Sequence, residues 1–232
     1  MFDTRIPSLD GRHFDAYVAR PDFVSAPAII VIQEIFGVNP AMRGICDDLA
    51  RDGYLAICPD LFWRLEPHIQ LSDQTDADMK QAFGLYERFD VASGVDDLLA
   101  ALAYARTMPG CNGKVGTVGY CLGGKLAFLL TARSDLDCGV SYYGVGLENL
   151  LEDVPDIRCP LLMHMAGKDK FSSPQAQEKV LAAVAKNSRI QAPVYPDADH
   201  AFARPGGVHW DEAAAALANK RSAEFFAAHL RS

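Results

Sequence analysis

The residue with the clearest chemical signature is Cys121, which lies in the segment Gly119-Tyr120-Cys121-Leu122-Gly123. Glycines two positions before and two positions after a nucleophile are typical of a tight turn from a strand into a helix, because larger side chains would collide there. A cysteine at the start of a helix also meets free backbone N–H groups and the positive end of the helix dipole, which favour the thiolate. The pattern predicts a reactive nucleophile, and the alternative is a buried cysteine with a packing role.

A cysteine nucleophile needs a base, and four histidines follow it in the chain. His200 is the candidate because it lies in a loop between the last predicted strand and the last predicted helix, where a side chain can reach over the end of the sheet. His164 interrupts an apolar strand and is expected to be a core residue. His209 and His229 border or lie on the last helix and are expected at the surface.

The third group required is an acid that holds the histidine ring in the correct tautomer. Asp169 is our choice, because it follows the predicted strand 161–165 and comes between the nucleophile and the histidine in the chain. Asp197 and Asp199 are the alternatives, although acidic residues this close to a loop histidine more often cap a turn. The sequence therefore predicts a catalytic triad of Cys121, His200 and Asp169.

These three residues need a framework, and the chain supplies one by alternating apolar runs with segments of helical period. The predicted strands are 28–33, 54–58, 114–118, 138–142, 161–165 and 190–195. The predicted helices are 41–52, 94–107, 122–132, 174–186 and 211–229. This alternation predicts a single α/β domain over residues 1–232, with a mostly parallel central sheet and helices on both faces. Ligands of such folds bind outside the carboxyl ends of the strands, where the three candidate residues lie.

Composition narrows the classes of function. The chain has 232 residues, of which 50% are hydrophobic and 22% are charged, as in a globular protein with a sizeable core. Its formal net charge of -8 and its lack of a basic run argue against nucleic acid or an anionic membrane surface as a partner. The first twenty residues have no apolar core of a signal peptide, so we expect a cytoplasmic protein.

The six cysteines point to the same compartment. None forms a C-x-x-C pair or a zinc-ligand pattern with histidine, so we expect free thiols in a reducing environment and no metal.

Several longer segments resemble the dienelactone hydrolase (carboxymethylenebutenolidase) family across nearly the whole chain. They are Gln33 to Asn39 (QEIFGVN), Cys58 to Leu61 (CPDL), Gly113 to Gly116 (GKVG), Val118 to Gly124 (VGYCLGG), Tyr142 to Gly146 (YYGVG) and His200 to Arg204 (HAFAR). The resemblance implies an α/β-hydrolase fold, a monomer, the same triad, and hydrolysis of a small ester or lactone without a cofactor.

The resemblance also implies roles that the spacing alone does not. Glu34 matches a glutamate that contacts the resting thiol and then takes its proton when substrate binds. The backbone N–H groups of Ile35 and Leu122 match the oxyanion hole, in keeping with the general pattern of one donor after the nucleophile and one from an earlier loop.

The substrate-binding positions match less well. Of two family arginines that hold a substrate carboxylate, one matches Arg204 and the other falls on Met79, beside Lys80. A family serine after the histidine is Ala201 here. The aromatic positions that line the family's pocket fall on Phe36, Phe83, Tyr86 and Tyr143. A lysine offers only a point charge in place of a bidentate arginine, which weakens the case for a lactone that carries a carboxylate.

The expected function is therefore hydrolysis of a small lactone or activated ester through a thioester at Cys121. One alternative is a broader carboxylesterase or another lactonase on the same fold. A different class of alternative is a non-catalytic ligand-binding or redox-sensing protein, in which Cys121 would be modified reversibly without ester hydrolysis.

Overall fold

The computed structural model describes residues 2–22 and 25–231. Strands and helices alternate along them, which confirms the α/β class predicted from the sequence. The strands are β1 (Thr4–Pro7), β2 (His13–Ala19), β3 (Ala26–Ile32), β4 (Leu55–Pro59), β5 (Cys111–Tyr120), β6 (Cys138–Tyr142), β7 (Leu161–Ala166), β8 (Ile190–Gln191) and β9 (Val194–Tyr195). The α-helices are α1 (Pro40–Arg51), α2 (Asp76–Arg88), α3 (Val91–Thr107), α4 (Leu122–Arg133), α5 (Pro174–Val184) and α6 (Glu212–Leu230). Two short 3₁₀ helices cover Leu147–Asn149 and Leu151–Asp156.

The chain divides into two compact units, Met1–Thr117 and Val118–Ser232. Strand β5 begins in the first unit and ends in the second. The single domain over residues 1–232 stays a prediction.

In the first unit, the strands follow the order β1-β2-β4-β3. The β1–β2 and β2–β4 pairs are antiparallel, whereas β3 and β4 run parallel. Strand β3 reads APAIIVI and all seven of its residues are buried, as expected for a parallel strand covered on both faces. Helix α1 packs against β4 and β2, and helix α3 packs against β1 and β3.

In the second unit, β7 is the central strand. It pairs in parallel with β6, β8 and β9, so the loops that follow β6, β7 and β9 leave the same edge of the sheet. Helix α4 packs against β6, and α6 packs against β6 and β7. The loops at this edge carry three of the residues singled out from the sequence: Tyr143, Asp169 and His200.

The N-terminus of α4 differs from those of the other described α-helices in its capping. Five of the described α-helices begin with a side chain that accepts a hydrogen bond from a first-turn N–H group, and these caps are Asn39, Thr75, Asp90, Ser173 and Asp211. Helix α4 begins after Cys121, which makes no such bond. The N–H groups at the start of α4 therefore lack the side-chain acceptor that the other helices have.

Two predicted boundaries are wrong. The single strand 190–195 is two short strands, because Pro193 has no N–H group to continue the ladder. The helix predicted over 174–186 ends at Val184. Strands β1 and β2 and helix α2 were not predicted, and the remaining elements match their predicted positions to within a few residues.

No helix among residues 2–22 and 25–231 is both long and apolar enough to cross a membrane. The same ranges contain no group of three or more histidine, cysteine, aspartate or glutamate residues arranged to hold a metal ion. The six cysteines are free thiols in this structure.

Candidate active site

Cys121 occupies a strained turn between β5 and α4. Its backbone has φ 56° and ψ −115°, a conformation that costs a non-glycine residue free energy and that persists only where its surroundings enforce it. One enforcing contact is a 3.1 Å hydrogen bond from its N–H group to the carbonyl oxygen of Tyr142 at the end of β6. The turn places the thiol at the N-terminus of α4, where the helix dipole favours a negative charge.

The glycines around Cys121 are required by close backbone approaches. A Cβ atom on Gly119 would lie 1.9 Å from the carbonyl oxygen of Gly123, so the residues two before and two after the cysteine do meet as the pattern predicts. A Cβ atom on Gly124 would lie 2.4 Å from the carbonyl oxygen of Tyr142. Any side chain at either position would push the start of α4 away from the strands beneath it.

Asp169 and His200 are hydrogen-bonded to each other. Oδ2 of Asp169 lies 2.8 Å from Nδ1 of His200, and both side chains are less than a tenth exposed. The second oxygen of Asp169 accepts a 2.8 Å hydrogen bond from the N–H group of Phe171. With both oxygens engaged, the carboxylate is fixed in place and fixes the orientation of the imidazole.

The loop that carries His200 is tied to the loop that carries Asp169 by backbone bonds. The N–H groups of Gly167 and Lys168 donate to the carbonyl oxygens of Tyr195 and Ala198, at 2.8 and 2.9 Å. Directly after His200, Ala201 has φ 63°, which turns the chain back toward α6. The two loops therefore form one connected surface at the edge of the sheet.

The alternative acids lie elsewhere. Asp197 is 86% exposed and pairs with Lys168 at 2.8 Å. Asp199 accepts the N–H group of His200 at 2.7 Å and faces Lys170 and His209, so it shapes the turn as expected of a loop aspartate.

The other histidines also lie as expected or close to it. His164 is fully buried and both of its ring nitrogens have partners, which confirms that it is a core residue. His209 is exposed, whereas His229 on α6 is half-buried and packs against Phe225.

The charge of His200 depends on two neighbouring side chains, Cys121 and Asp169. Burial is the largest single influence and lowers the pKa of His200, but Cys121 and Asp169 together outweigh it and raise the pKa from 6.5 to about 10. The second ring nitrogen, Nε2, is buried without a hydrogen-bond partner of normal geometry among the described residues. Cys121 is nevertheless close enough to be the strongest influence that raises this pKa.

Three aromatic rings lie around the imidazole of His200. Tyr143 and Phe171 present edge-on contacts to the imidazole, with ring centroids 5.1 and 4.8 Å from it, and Phe202 packs against Tyr143 at 5.5 Å. Tyr143 was singled out from the sequence, whereas Phe171 and Phe202 were not. Their only sequence signal is adjacency, since each lies two residues after a triad position.

Arg204 and Leu122 belong to the same unit as the triad. Arg204 is 8% exposed, which is unusual for an arginine. Its backbone N–H group closes the turn by donating to the carbonyl oxygen of Ala201. Leu122 is the first residue of α4, a position whose N–H group has no acceptor within a helix.

The remaining candidate residues lie in the first unit. Glu34, Ile35 and Phe36 follow β3 directly and are buried, with Glu34 1% exposed. Lys80, Phe83 and Tyr86 lie on α2, where Lys80 is exposed and the two aromatic residues are half-buried. Their roles stay predictions.

Comparison with known proteins connects this geometry to a family. The model of the dienelactone hydrolase family matches residues 14–230. An Azospirillum brasilense protein named "Putative carboxymethylenebutenolidase" is 47% identical over 241 residues, covering 99% of this chain and 100% of its own length. The carboxymethylenebutenolidase of Pseudomonas putida is 45% identical over 222 residues, covering 96% of this chain and 94% of its own.

The fold agrees with that assignment. The crystal structure of a Klebsiella pneumoniae protein described as "Putative Dienelactone Hydrolase" superposes with a TM-score of 0.82 at 31% identity, covering 97% of this chain and 96% of the other. The α/β-hydrolase fold predicted from the sequence is therefore confirmed, with its mostly parallel central sheet and flanking helices. The chain belongs to the dienelactone hydrolase family and is a hydrolase of ester or lactone bonds.

Proposed function

We propose that the chain hydrolyses a small lactone or activated ester through a thioester formed on Cys121, as a monomer and without a cofactor. One observation carries the proposal: Asp169 holds Nδ1 of the buried His200 at 2.8 Å, while Nε2 has no hydrogen-bond partner among the described residues and Cys121 raises the pKa of the ring. A base oriented by an acid and adjacent to a nucleophile is the arrangement that nucleophilic catalysis requires.

In the proposed mechanism, Glu34 or His200 removes the thiol proton of Cys121 when substrate binds, which leaves a thiolate beside the imidazolium of His200. The thiolate attacks the substrate carbonyl, and the tetrahedral intermediate collapses to a thioester as the alcohol leaves with a proton from Nε2 of His200. A water molecule then gives its proton to His200 and attacks the thioester, which releases the acid and restores the thiolate.

Three further groups complete the proposed machinery. The backbone N–H group of Leu122, at the first position of α4, is suited to stabilise the oxyanion together with that of Ile35. Glu34 is proposed to take the thiol proton when substrate binds. Its 1% exposure supports this role, because glutamate side chains usually lie in solvent and a buried one calls for a specific function.

The choice of nucleophile restricts the substrate. A thiolate leaves a tetrahedral intermediate more readily than an ordinary alkoxide does, so the intermediate returns to substrate unless the leaving oxygen is stabilised. Enol lactones and aryl esters supply such a leaving group. Phe36, Phe83, Tyr86 and Tyr143 are each proposed to contact the substrate, and Arg204 and Lys80 are proposed to attract a substrate carboxylate.

A broader carboxylesterase is the second candidate, and a specific observation favours it. Met79 and Ala201 stand at positions where the resemblance to the family implies polar substrate-binding residues. Without the second arginine, a substrate carboxylate loses one bidentate partner, so neutral esters compete better at this site.

The test is a panel of enol lactones and aryl esters assayed with the native protein and with Cys121→Ser, Cys121→Ala and His200→Asn. We expect the native protein to turn over at least one substrate and each variant to lose most of that activity. Cys111→Ser is the matched control, because Cys111 lies in the first unit at the start of β5 and should leave turnover unchanged.

Two results would contradict the proposal. Equal hydrolysis by native protein and Cys121→Ala would remove the nucleophile assignment. Reversible oxidation of Cys121 without turnover of any member of the panel would favour a thiol sensor.

A further inference from the structure

A chain of six polar side chains crosses the second unit beneath the candidate site. Arg221 and Asn219 on α6 lie at its two ends, and Tyr195, His164, Ser222 and Tyr142 lie between them. The four inner side chains are at most 7% exposed. Every link is a hydrogen bond between 2.7 and 3.1 Å.

The direction of every hydrogen bond in this chain can be assigned from its ends. Arg221 can only donate, so the hydroxyl of Tyr195 accepts from it at 3.1 Å and is left to donate to Nδ1 of His164 at 2.8 Å. At the other end, the hydroxyl of Tyr142 donates to Oδ1 of Asn219 at 2.9 Å, so it accepts from Ser222.

Both ends require the same state of His164. Ser222 has already given its hydrogen to Tyr142, so it accepts from Nε2–H of His164 at 2.9 Å. His164 is therefore neutral with its hydrogen on Nε2, and burial with a smaller effect of Arg221 accordingly lowers its pKa to about 3. The five hydrogen bonds therefore run in one consistent direction.

The chain is attached to both halves of the candidate site by backbone bonds and ring contacts. The carbonyl oxygen of Tyr142 accepts the N–H group of Cys121, and that of His164 accepts the N–H group of Tyr143 at 2.8 Å. The carbonyl oxygen of Tyr195 accepts the N–H group of Gly167 in the loop that leads to Asp169, and the ring of Tyr195 packs 4.9 Å from that of Phe202.

We propose that this chain positions the site: it clamps α6 to β6, β7 and β9 and thereby sets the distance between the nucleophile turn and the loop of His200. His164, Ser222 and Tyr195 are positioning residues, since none of them touches the reacting atoms. The proposal rests on the proposed function only for its effect on turnover.

The test compares Tyr195→Phe and Ser222→Ala with the native protein. Each variant removes one hydroxyl and keeps the packing, and Ser222→Ala is the smaller change should Tyr195→Phe fold poorly. Tyr17→Phe is the matched control, because the Tyr17 hydroxyl bonds to Asp47 in the first unit.

We expect kcat to fall about 10-fold with KM nearly unchanged, because displacement of reacting groups by a fraction of an ångström weakens catalysis more than binding. In ¹⁵N NMR spectra, the native protein should show His164 as one neutral tautomer with its hydrogen on Nε2. In the variants, the chemical shifts of Nδ1 and Nε2 should move toward each other, because both tautomers become populated. The pKa of His200 should also fall, because its elevation depends on its closeness to Cys121 and Asp169.

The outcomes separate a positioning role from a purely structural one. Lower thermal stability with unchanged kcat and an unchanged pKa of His200 would overturn the proposal. If the native protein hydrolyses nothing, the proposed function fails, yet a fall in the pKa of His200 in Tyr195→Phe but not in Tyr17→Phe still supports the clamp.

Discussion

Oδ2 of Asp169 and Nδ1 of His200 lie 2.8 Å apart, although 31 residues separate them in the chain. The carboxylate is held from its other side by the N–H group of Phe171, so it cannot rotate without breaking two hydrogen bonds. Because Asp169 occupies Nδ1, Nε2 is the ring nitrogen that is available to exchange a proton with Cys121 or the substrate.

Replacement of Asp169 by asparagine should remove the orienting charge with little change in shape. We expect kcat for an aryl ester to fall by about two to four orders of magnitude, because the amide allows the wrong tautomer of His200. Steady-state kinetics measure the effect, and Asp197→Asn is the control, since Asp197 is exposed and pairs with Lys168. Similar losses in the two variants would indicate that Asp197 shares the role.

The pH dependence of stability should report the ionic state of His200. Its pKa is raised from 6.5 to about 10 on folding, so the stabilisation is complete below pH 6.5 and is lost as the pH rises through about 10. Chemical denaturation between pH 6 and 10.5 should show this loss in the native protein. In Cys121→Ala the loss should end at a lower pH, because one of the two side chains that raise the pKa of His200 is gone. An identical profile for both proteins would contradict the proposed pairing of His200 with Cys121.

Replacement of Gly119 by alanine should damage the nucleophile turn. The new Cβ atom would lie 1.9 Å from a backbone oxygen that cannot move independently, so we expect the free energy of unfolding to fall by about 2 kcal/mol or more. Esterase activity should fall with it. Gly84→Ala is the control: Gly84 lies inside α2 with nothing within 4 Å of its Cβ position, and the change should add about 0.5 to 1 kcal/mol of stability. Equal changes in the free energy of unfolding for the two substitutions would contradict a steric requirement for glycine at position 119.

A further substitution tests an ion pair of the first unit whose carboxylate, that of Asp97, is buried. Asp97 is 1% exposed and accepts hydrogen bonds from Arg64, Trp63 and Ser8. Asp97→Asn should lower the free energy of unfolding by about 2 to 3 kcal/mol, because it leaves the guanidinium of Arg64 without its main counter-charge. Asp96 is its exposed neighbour on α3, and Asp96→Asn should change stability little. Urea denaturation of both variants measures the effect. Equal free energies of unfolding for Asp97→Asn and Asp96→Asn would contradict a stabilising role for the contacts of Asp97.

Most of the framework was predictable because its signals are local. The buried run of β3 and the strand-turn-helix around Cys121 are contiguous in sequence. Chain order together with a position after a predicted strand indicated Asp169 and His200. The break between β8 and β9 could have been anticipated from Pro193, which cannot donate to a neighbouring strand.

The contacts that support the site were not predictable in the same way. His164 meets Tyr195 and Ser222 across 31 and 58 residues, and no periodicity in one segment indicates a partner in another. Its position inside an apolar strand did indicate burial, and a buried imidazole requires partners. The sequence could therefore predict that such partners exist but not which side chains supply them.

The most direct measurement is mass spectrometry of the protein quenched in acid during turnover of p-nitrophenyl acetate. We expect one acetyl group on the peptide that contains Cys121, and no acetylation of that peptide in Cys121→Ala. Turnover by native protein with the Cys121 peptide unmodified at every quench time, or with the acetyl group on a different side chain, would contradict the assignment of Cys121 as the nucleophile.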